Sequence, residues 1–341
     1  MKSFITGVAG PELTGQERQF LKDAQPWGFI VFKRNVADPG SLRRLIDDFR
    51  TLVGRQAPVL IDQEGGRVQR LGPPHWPSYP PGAAYGALYD RDRDTGLAAA
   101  RLGAALIAAD LATLGIDVDC APIADVPVAG ADPIIGDRAY GASPDKVAAI
   151  AGAVAAGLME GGVLPVLKHM PGHGRATADS HQKLPVVGTD RATLEVTDFA
   201  VFRSLAGLPL GMTAHVVFTA IDPVAPATTS ATIVREVIRD SIGFSGLLMS
   251  DDVSMGALSG SLGERTKAAL AAGCDMILHC NGKMDEMLAV ADAAPQLAGD
   301  AQRRAAAALA LRKPAAPIDI AARRAEFFKL MAGVAPTPGS P

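Results

Sequence analysis

Eight short apolar runs recur along the chain, spaced by helical patterns from one end to the other, and no other feature restricts the fold so much. The runs predicted as strands are Ser3–Val8, Gly28–Phe32, Pro58–Asp62, Asp117–Ala121, Leu164–Lys168, Leu210–His215, Gly246–Ser250 and Asp275–His279. Helical spacing falls between them at Glu17–Ala24, Ser41–Leu52, Thr95–Leu114, Pro144–Glu160, Thr232–Ile242 and Glu264–Ala272. Strands that are apolar on both faces and separated by helices pair in parallel. Eight such units without a linker or compositional break fit one (β/α)8 barrel domain, residues 1–333, better than two domains. A doubly wound sheet is the alternative, because alternation alone does not count closure. No internal repeat is evident, and the Pro/Ser/Gly-rich tail VAPTPGSP, residues 334–341, reads as disordered.

A barrel makes a further demand: its chemistry sits on the loops that follow strand C-termini. The sequence meets it. The third run leads into IDQEGGRVQRL, the fourth into APIADVPVAGADPIIGDRAYG and the fifth into KHMPGHGRATADSH. The sixth ends in MTAH and the seventh in MSDD. Polar groups gathered at one end of apolar strands are hard to account for as packing.

Composition removes several function classes. The 341 residues carry 33 basic and 36 acidic side chains, net −3, with no basic run or helix face, so nucleic acid is not an expected partner. Cys120, Cys274 and Cys280 form no CxxC pair and lie in or beside apolar runs, as inert thiols of a reducing compartment do. The N-terminal apolar stretch is too short and broken for a secretory signal. The longest uncharged apolar run, Val147–Met159, falls below the ~18–20 residues of a membrane span. A cytoplasmic protein without membrane contact is expected, with a monomer as the working expectation.

The segment Lys168–His181 concentrates three of the six histidines, with a Lys, an Arg and Asp179, in fourteen residues. His169 and His173 stand four apart, and Asp179, His181 and His215 offer further ligands to a zinc ion. HxxxH makes a metal pair only on a helix, which Pro171, Gly172 and Gly174 preclude, so no metal is expected. DQEGG and GHG match neither a P-loop nor a GxGxxG fingerprint, and no cofactor is expected. In Ser250-Asp251-Asp252 two carboxylates leave an apolar run, which is costly unless they are paired or used. They are either helix caps or one of them is a nucleophile or base. Pleating sends neighbours to opposite faces, so one should enter the barrel mouth, and alternation does not say which. Asp62 can accept from vicinal hydroxyls, and Arg70, Arg138 and Lys168 supply donors around it. A carboxylate ringed by cations suits a sugar. Trp76 and Tyr79 either stack on that sugar or pin their Pro-rich loop, and the adjacent Asp137 is the ordinary ion-pair partner for Arg138.

The stretches IDQEGGRVQR (61–70), GDRAYG (136–141), KHMPGHG (168–174), ADSH (178–181) and SDDVSM (250–255) resemble glycoside hydrolase family 3. In order, spacing and length they are similar to its bacterial NagZ-type β-N-acetylglucosaminidase branch. The likeness spans roughly residues 5–295, and KHxPGHG followed by DxH is its most specific part. It implies a retaining enzyme that removes non-reducing β-linked N-acetylglucosamine from peptidoglycan fragments in cell-wall recycling. It implies Asp251 as nucleophile, His181 as acid/base assisted by Asp179, and Asp62, Arg70, Arg138, Lys168 and His169 as sugar-binding positions. Met170 stands where the motif has Phe, and the SMGAL segment after the nucleophile is compressed; both bear on packing or loop shape. Larger members add a second domain that supplies a carboxylic acid proton donor. This chain has no length for one, so the acid/base is expected on a mobile fifth loop.

The expected partner is therefore a small carbohydrate. Histidine fits both halves of a double displacement, because its unperturbed pKa of about 6.5 lies near neutrality. Substrate assistance by the N-acetyl oxygen, with Asp251 and Asp252 orienting it, is the rival mechanism. A zinc-dependent amidohydrolase and a non-catalytic sugar-binding barrel are the rivals from other classes.

Overall fold

The computed structural model describes residues 1–314, 319–332 and 334. Among these, eight parallel strands close into a barrel: β1 (Lys2–Thr6), β2 (Pro26–Val31), β3 (Val59–Ile61), β4 (Val118–Asp119), β5 (Leu164–Met170), β6 (Leu210–Thr213), β7 (Leu247–Asp252) and β8 (Met276–His279). Each strand pairs with its neighbours in sequence, and β8 returns to β1 with Phe4 opposite Ile277. Every predicted run overlaps one barrel strand, and closure excludes the doubly wound sheet.

Pleating divides the strand residues between two apolar clusters. Ile5, Ile30, Leu60, Val118, Val166, Met212, Met249 and Leu278 pack together inside the barrel. Phe4, Phe29, Val31, Val59, Ile61, Leu167, Leu248 and Ile277 belong to the larger layer shared with the helices. Ala305 and Ala308 of the helix Gly299–Ala310 join the inner cluster.

Local chemistry sets the helix ends. Asp38 caps the helix Pro39–Val53 by accepting from the amides of Gly40 and Ser41, and Pro39 opens it. Gly54, at φ 66°, ends it in the left-handed region that glycine tolerates. Leu42, Leu45, Ile46 and Phe49 form the buried stripe. Helices without such a stripe escaped the sequence. Gly82–Arg91 lays Gly82 and Gly86 directly on the backbone of Arg138 and Tyr140, where any Cβ would collide. The pair Arg191–Val196 and Asp198–Ser204 is too short for periodicity to register. Met284–Ala293, Gly299–Ala310 and Ile320–Met331 are alanine-rich in part and lightly buried.

The helix Arg93–Ala112 is long and apolar enough to cross a membrane, which the search for uncharged runs did not anticipate. Most of it is buried, with Ala99, Ala100, Leu106 and Leu111 in the core. It packs against the helices Pro144–Glu160, Gly82–Arg91 and Ile320–Met331, as a core helix does. The expected tail, residues 334–341, lies outside the described residues except for Val334.

Candidate active site

Pleating also decides which residues face the barrel mouth. Leu60, Val166, Met249 and Leu278 point inward, so the residues two positions on, Asp62, Lys168, Asp251 and Cys280, continue that face at the C-terminal end. All four line a cavity of about 350 Å³, joined by side chains from the βα loops that include Arg70, Arg138, His169 and His181. The Asp pair is thereby resolved. Asp251 enters the mouth, whereas Asp252 accepts from the Ser254 amide at 3.0 Å, the Ser254 hydroxyl at 2.7 Å and the Cys280 amide at 3.3 Å. Asp252 reaches the cavity rim, but its carboxylate ties the strand end to the next loop.

The floor of the cavity is a compact ion cluster. Asp62 accepts from Lys168 Nζ at 2.9 Å and from Arg70 at 2.8 Å. Lys168 Nζ also lies 2.7 Å from Glu64, and Arg138 grips Glu64 with both edges of its fork, at 2.9 and 2.8 Å. The alternative Arg138–Asp137 pair does not form, because Arg67 takes Asp137 at 3.1 Å and Arg138 turns inward. Burial alone would raise the Asp62 carboxyl; Lys168 and Arg70 outweigh it and hold the group far below the ordinary carboxylate range. Glu64 follows the same pattern against Arg138 and Lys168. Burial opposes the charge on Lys168, but Asp62 and Glu64 keep it firmly protonated.

Glu64 escaped sequence reasoning, although it sits between Asp62 and two glycines in DQEGG. Its signal was an acidic side chain on a segment already rich in candidate ligands. Asp119, on β4, also went unseen. It is fully buried, accepts from the Gln63 amide at 3.0 Å with one oxygen, and leaves the other without a partner. Burial pushes its carboxyl up to about 7.

The fifth loop is anchored at its start and open at its far end. Asp125, buried on the loop after β4, accepts from His169 Nδ1 at 2.7 Å and from the His173 amide at 2.7 Å. This bond leaves His169 Nε2 unpartnered at the cavity wall. His173 points to the Ser180 hydroxyl at 3.1 Å, and burial pushes its pKa down to about 4, so the ring is neutral. Arg175 pairs with the buried Asp198 at 2.6 Å. His173 and Arg175 thus shape the loop.

Beyond these anchors, the His181 side chain is 61% exposed. Its Nδ1 lies 2.8 Å from Asp179, which also accepts the His181 amide at 2.9 Å. A carboxylate held by these bonds stays below its ordinary pKa even though burial opposes it. With Nδ1 bound, Nε2 is the nitrogen left for chemistry. The loop rests on the compressed segment after Asp251: the Gly256 amide donates to the His181 carbonyl at 3.2 Å and the Ala257 amide to that of Ser180 at 3.1 Å.

Asp251 is partly buried, and burial would raise its carboxyl. The neighbouring imidazoles of His215 and His169, the Asp252 amide and Lys168 overcome this and favour the carboxylate. The cavity therefore sets an ionised carboxylate and an open imidazole nitrogen around a floor of hydrogen-bonding ions. That is the equipment for displacement at a sugar carbon, with proton transfer to and from oxygen.

Several candidates lie elsewhere. Tyr79 donates to Asp110 at 2.9 Å and packs on Phe327, and neither it nor Trp76 lines the cavity. Both pin the Pro-rich loop and do not stack on a ligand. Met170 is buried in the outer layer, with its methyl over Gly211. The histidines once grouped as metal ligands have separate partners, and no cluster of three potential ligands occurs among the described residues.

Residues 6–309 match the model of the glycosyl hydrolase family 3 N-terminal domain. A β-hexosaminidase of Alkalilimnicola ehrlichii is 42% identical over 283 residues, covering 81% of this chain and 80% of its own. One from Thioalkalivibrio sulfidiphilus is 39% identical over 278 residues, covering 80% and 79%. Among solved structures, NagZ of Neisseria gonorrhoeae in complex with N-trifluoroacetyl-D-glucosamine superposes with a TM-score of 0.83 at 30% identity, covering 98% of this chain and 97% of that one.

Proposed function

The chain belongs to glycosyl hydrolase family 3 and is a β-N-acetylhexosaminidase, and from that premise we propose a retaining double displacement in which Asp251 is the nucleophile and His181, assisted by Asp179, is the acid/base. One observation carries this reading: an ionised carboxylate at the cavity wall shares the mouth with an imidazole whose Nδ1 is held by Asp179 and whose Nε2 is open.

In the first step an Asp251 oxygen attacks the anomeric carbon, the bond to the leaving oxygen breaks, and His181 Nε2 protonates that oxygen. In the second, water attacks the same carbon, His181 Nε2 takes its proton, and the Asp251 carboxylate is released. Two inversions give net retention. Asp62, Arg70, Arg138, Lys168 and His169 hold the non-reducing sugar, with Asp62 accepting from its hydroxyls and the cations donating. Asp252 argues against substrate assistance, because its carboxylate is already engaged by Ser254 and Cys280.

The finer substrate we propose is N-acetylglucosamine β-linked to anhydromuramic acid, with or without peptide, in cytoplasmic cell-wall recycling. Its support is the motif resemblance and the likeness to the gonococcal NagZ. One barrel domain supplies every group this chemistry needs.

A panel of nitrophenyl glycosides, assayed with and without chelator, tests the reading. The N-acetyl-β-glucosaminide should be hydrolysed fastest and chelation should change nothing. Faster hydrolysis of the plain glucoside would sink the substrate assignment, and chelator sensitivity would revive the amidohydrolase rival.

A further inference from the structure

His215 is completely buried at the end of β6, outside the cavity lining. Its Nε2 lies 3.0 Å from the Asp252 carbonyl oxygen. A carbonyl has no proton to give, so Nε2 carries the hydrogen and donates. Its Nδ1 lies 2.7 Å from the Thr228 hydroxyl, which in turn lies 2.8 Å from the Thr213 hydroxyl. The Thr228 hydroxyl also reaches the Ala214 carbonyl at 3.1 Å, so Thr228 ties Nδ1, Thr213 and the backbone just after β6 together. Burial lowers the His215 pKa, and the Asp251 carboxylate nearby opposes that shift.

The receiving residue is the one that steers the nucleophile. The Asp252 amide donates to Asp251 Oδ1 at 2.8 Å, while the Asp252 carboxylate is fastened to Ser254 and Cys280. Asp252 is thus a bracket held at its amide, its carboxylate and its carbonyl, and at the carbonyl His215 is joined by the Met255 amide at 3.1 Å. β7 shifts register against β8 between Met249 and Asp252, so Asp252 meets Leu278 only after a break in the regular ladder.

We propose that His215 is a positioning residue for the nucleophile: the Thr213–Thr228–His215 chain fixes the Asp252 carbonyl and, through the Asp252 amide, the attack geometry of Asp251. The proposal rests on Asp251 being the nucleophile. A small displacement of a reacting group costs up to about 10²-fold in rate, so the loss should fall on turnover and not on sugar binding.

The test measures kcat on the nitrophenyl N-acetylglucosaminide and the inhibition constant of N-acetylglucosamine for three variants. His215→Ala should lose about 10–10²-fold in kcat with the inhibition constant within about twofold of the parent. His215→Gln, whose amide nitrogen reaches the same carbonyl, should recover most of that loss. Thr228→Val, close to isosteric and independent of how well the alanine variant folds, should lose about threefold in kcat alone, since the link to His215 Nδ1 goes together with the bonds to Thr213 and Ala214. A glutamine variant as slow as the alanine variant, inhibitor binding that falls in step with kcat, or parental turnover in Thr228→Val would each overturn the proposal. Covalent labelling of the parent enzyme by a 2-fluoro sugar is read separately: a label on a residue other than Asp251 removes the nucleophile assignment itself.

Discussion

The floor of the cavity and the tip of its fifth loop hold charge in opposite ways. On the floor, Asp62, Glu64, Arg70, Arg138 and Lys168 expose between 3% and 23% of their side chains, and Asp62, Glu64 and Lys168 each have two oppositely charged partners. At the tip, His181 exposes 61% of its side chain and relies on Asp179. Removing one member of a buried ion cluster strands the others without compensation, so the floor resists rearrangement. An exposed pair is screened and loosely held. The division matches the work we propose: groups that grip a neutral sugar gain from fixed geometry, whereas a proton carrier must meet a leaving oxygen and then a water. In the proposed mechanism Asp251 stands between the two, partly buried like the floor yet reacting with the loop.

If this division is right, the largest effect comes from the residue both regions serve. Asp251→Ala should fold normally and lose about 10⁴-fold or more in kcat, because no other group forms the glycosyl-enzyme. A 2-fluoro sugar with a good leaving group should label Asp251 in the parent. Finding the label on Asp252, or trapping an oxazoline instead, would return the mechanism to substrate assistance.

Next in size is the loop. His181→Ala should lose roughly 10²–10⁴-fold on a substrate whose leaving oxygen needs a proton, and less on an activated aryl glycoside. The glycosyl-enzyme should then accumulate and give a burst, and azide should release it as a β-glycosyl azide. Equal losses on both substrates, with neither burst nor azide rescue, would make His181 a binding group and send the search for an acid elsewhere.

The floor should respond in binding. Asp62→Ala removes two charge-assisted bonds and leaves Arg70 unpaired, so the inhibition constant of an N-acetylglucosamine mimic should rise about 10²-fold. His181→Ala should leave that constant nearly unchanged. Similar constants in the two variants would erase the distinction between floor and loop.

The same contrast explains what the sequence disclosed. The barrel was legible because its strands are apolar on both faces, and tip residues such as Asp62, Lys168 and Asp251 stood out as charges leaving apolar runs. Which of Asp251 and Asp252 faces the mouth was not legible from alternation, since the strand has no polar face to set it, and only the family resemblance singled out Asp251. Glu64 and Asp125 were missed for a related reason: each acts through a partner distant in sequence, Arg138 and His169 respectively, and a single chain does not display that pairing. Tyr79 stayed open because an aromatic in a loop near a sugar-like site fits either role, and its partner Asp110 lies on a helix 31 residues away.

The smallest effect, and the sharpest probe of the floor, belongs to its unpaired carboxyl. Asp119 faces Lys168, Asp62 and Glu64, has no ion-pair partner of its own, and leaves one oxygen unbonded. Burial raises it from the ordinary 3.8 to about 7, so the folded protein holds a proton that the unfolded chain has released. The sign follows. Below about pH 4 both states are protonated and Asp119 costs nothing; as pH rises from there to about 7 the unfolded state is increasingly favoured, and beyond 7 the penalty is constant. Asp119→Asn keeps an oxygen for the Gln63 amide and removes the ionisable group. It should stabilise the protein by about 1–3 kcal/mol at pH 8, a value discounted for relaxation of the site, and by almost nothing at pH 4. Turnover should change little, because the side chain does not line the cavity. Urea unfolding of both proteins across that pH range measures the difference. A variant less stable than the parent at pH 8 would mean that Asp119 is ionised and paired with Lys168, making it a working member of the floor and not its neutral support.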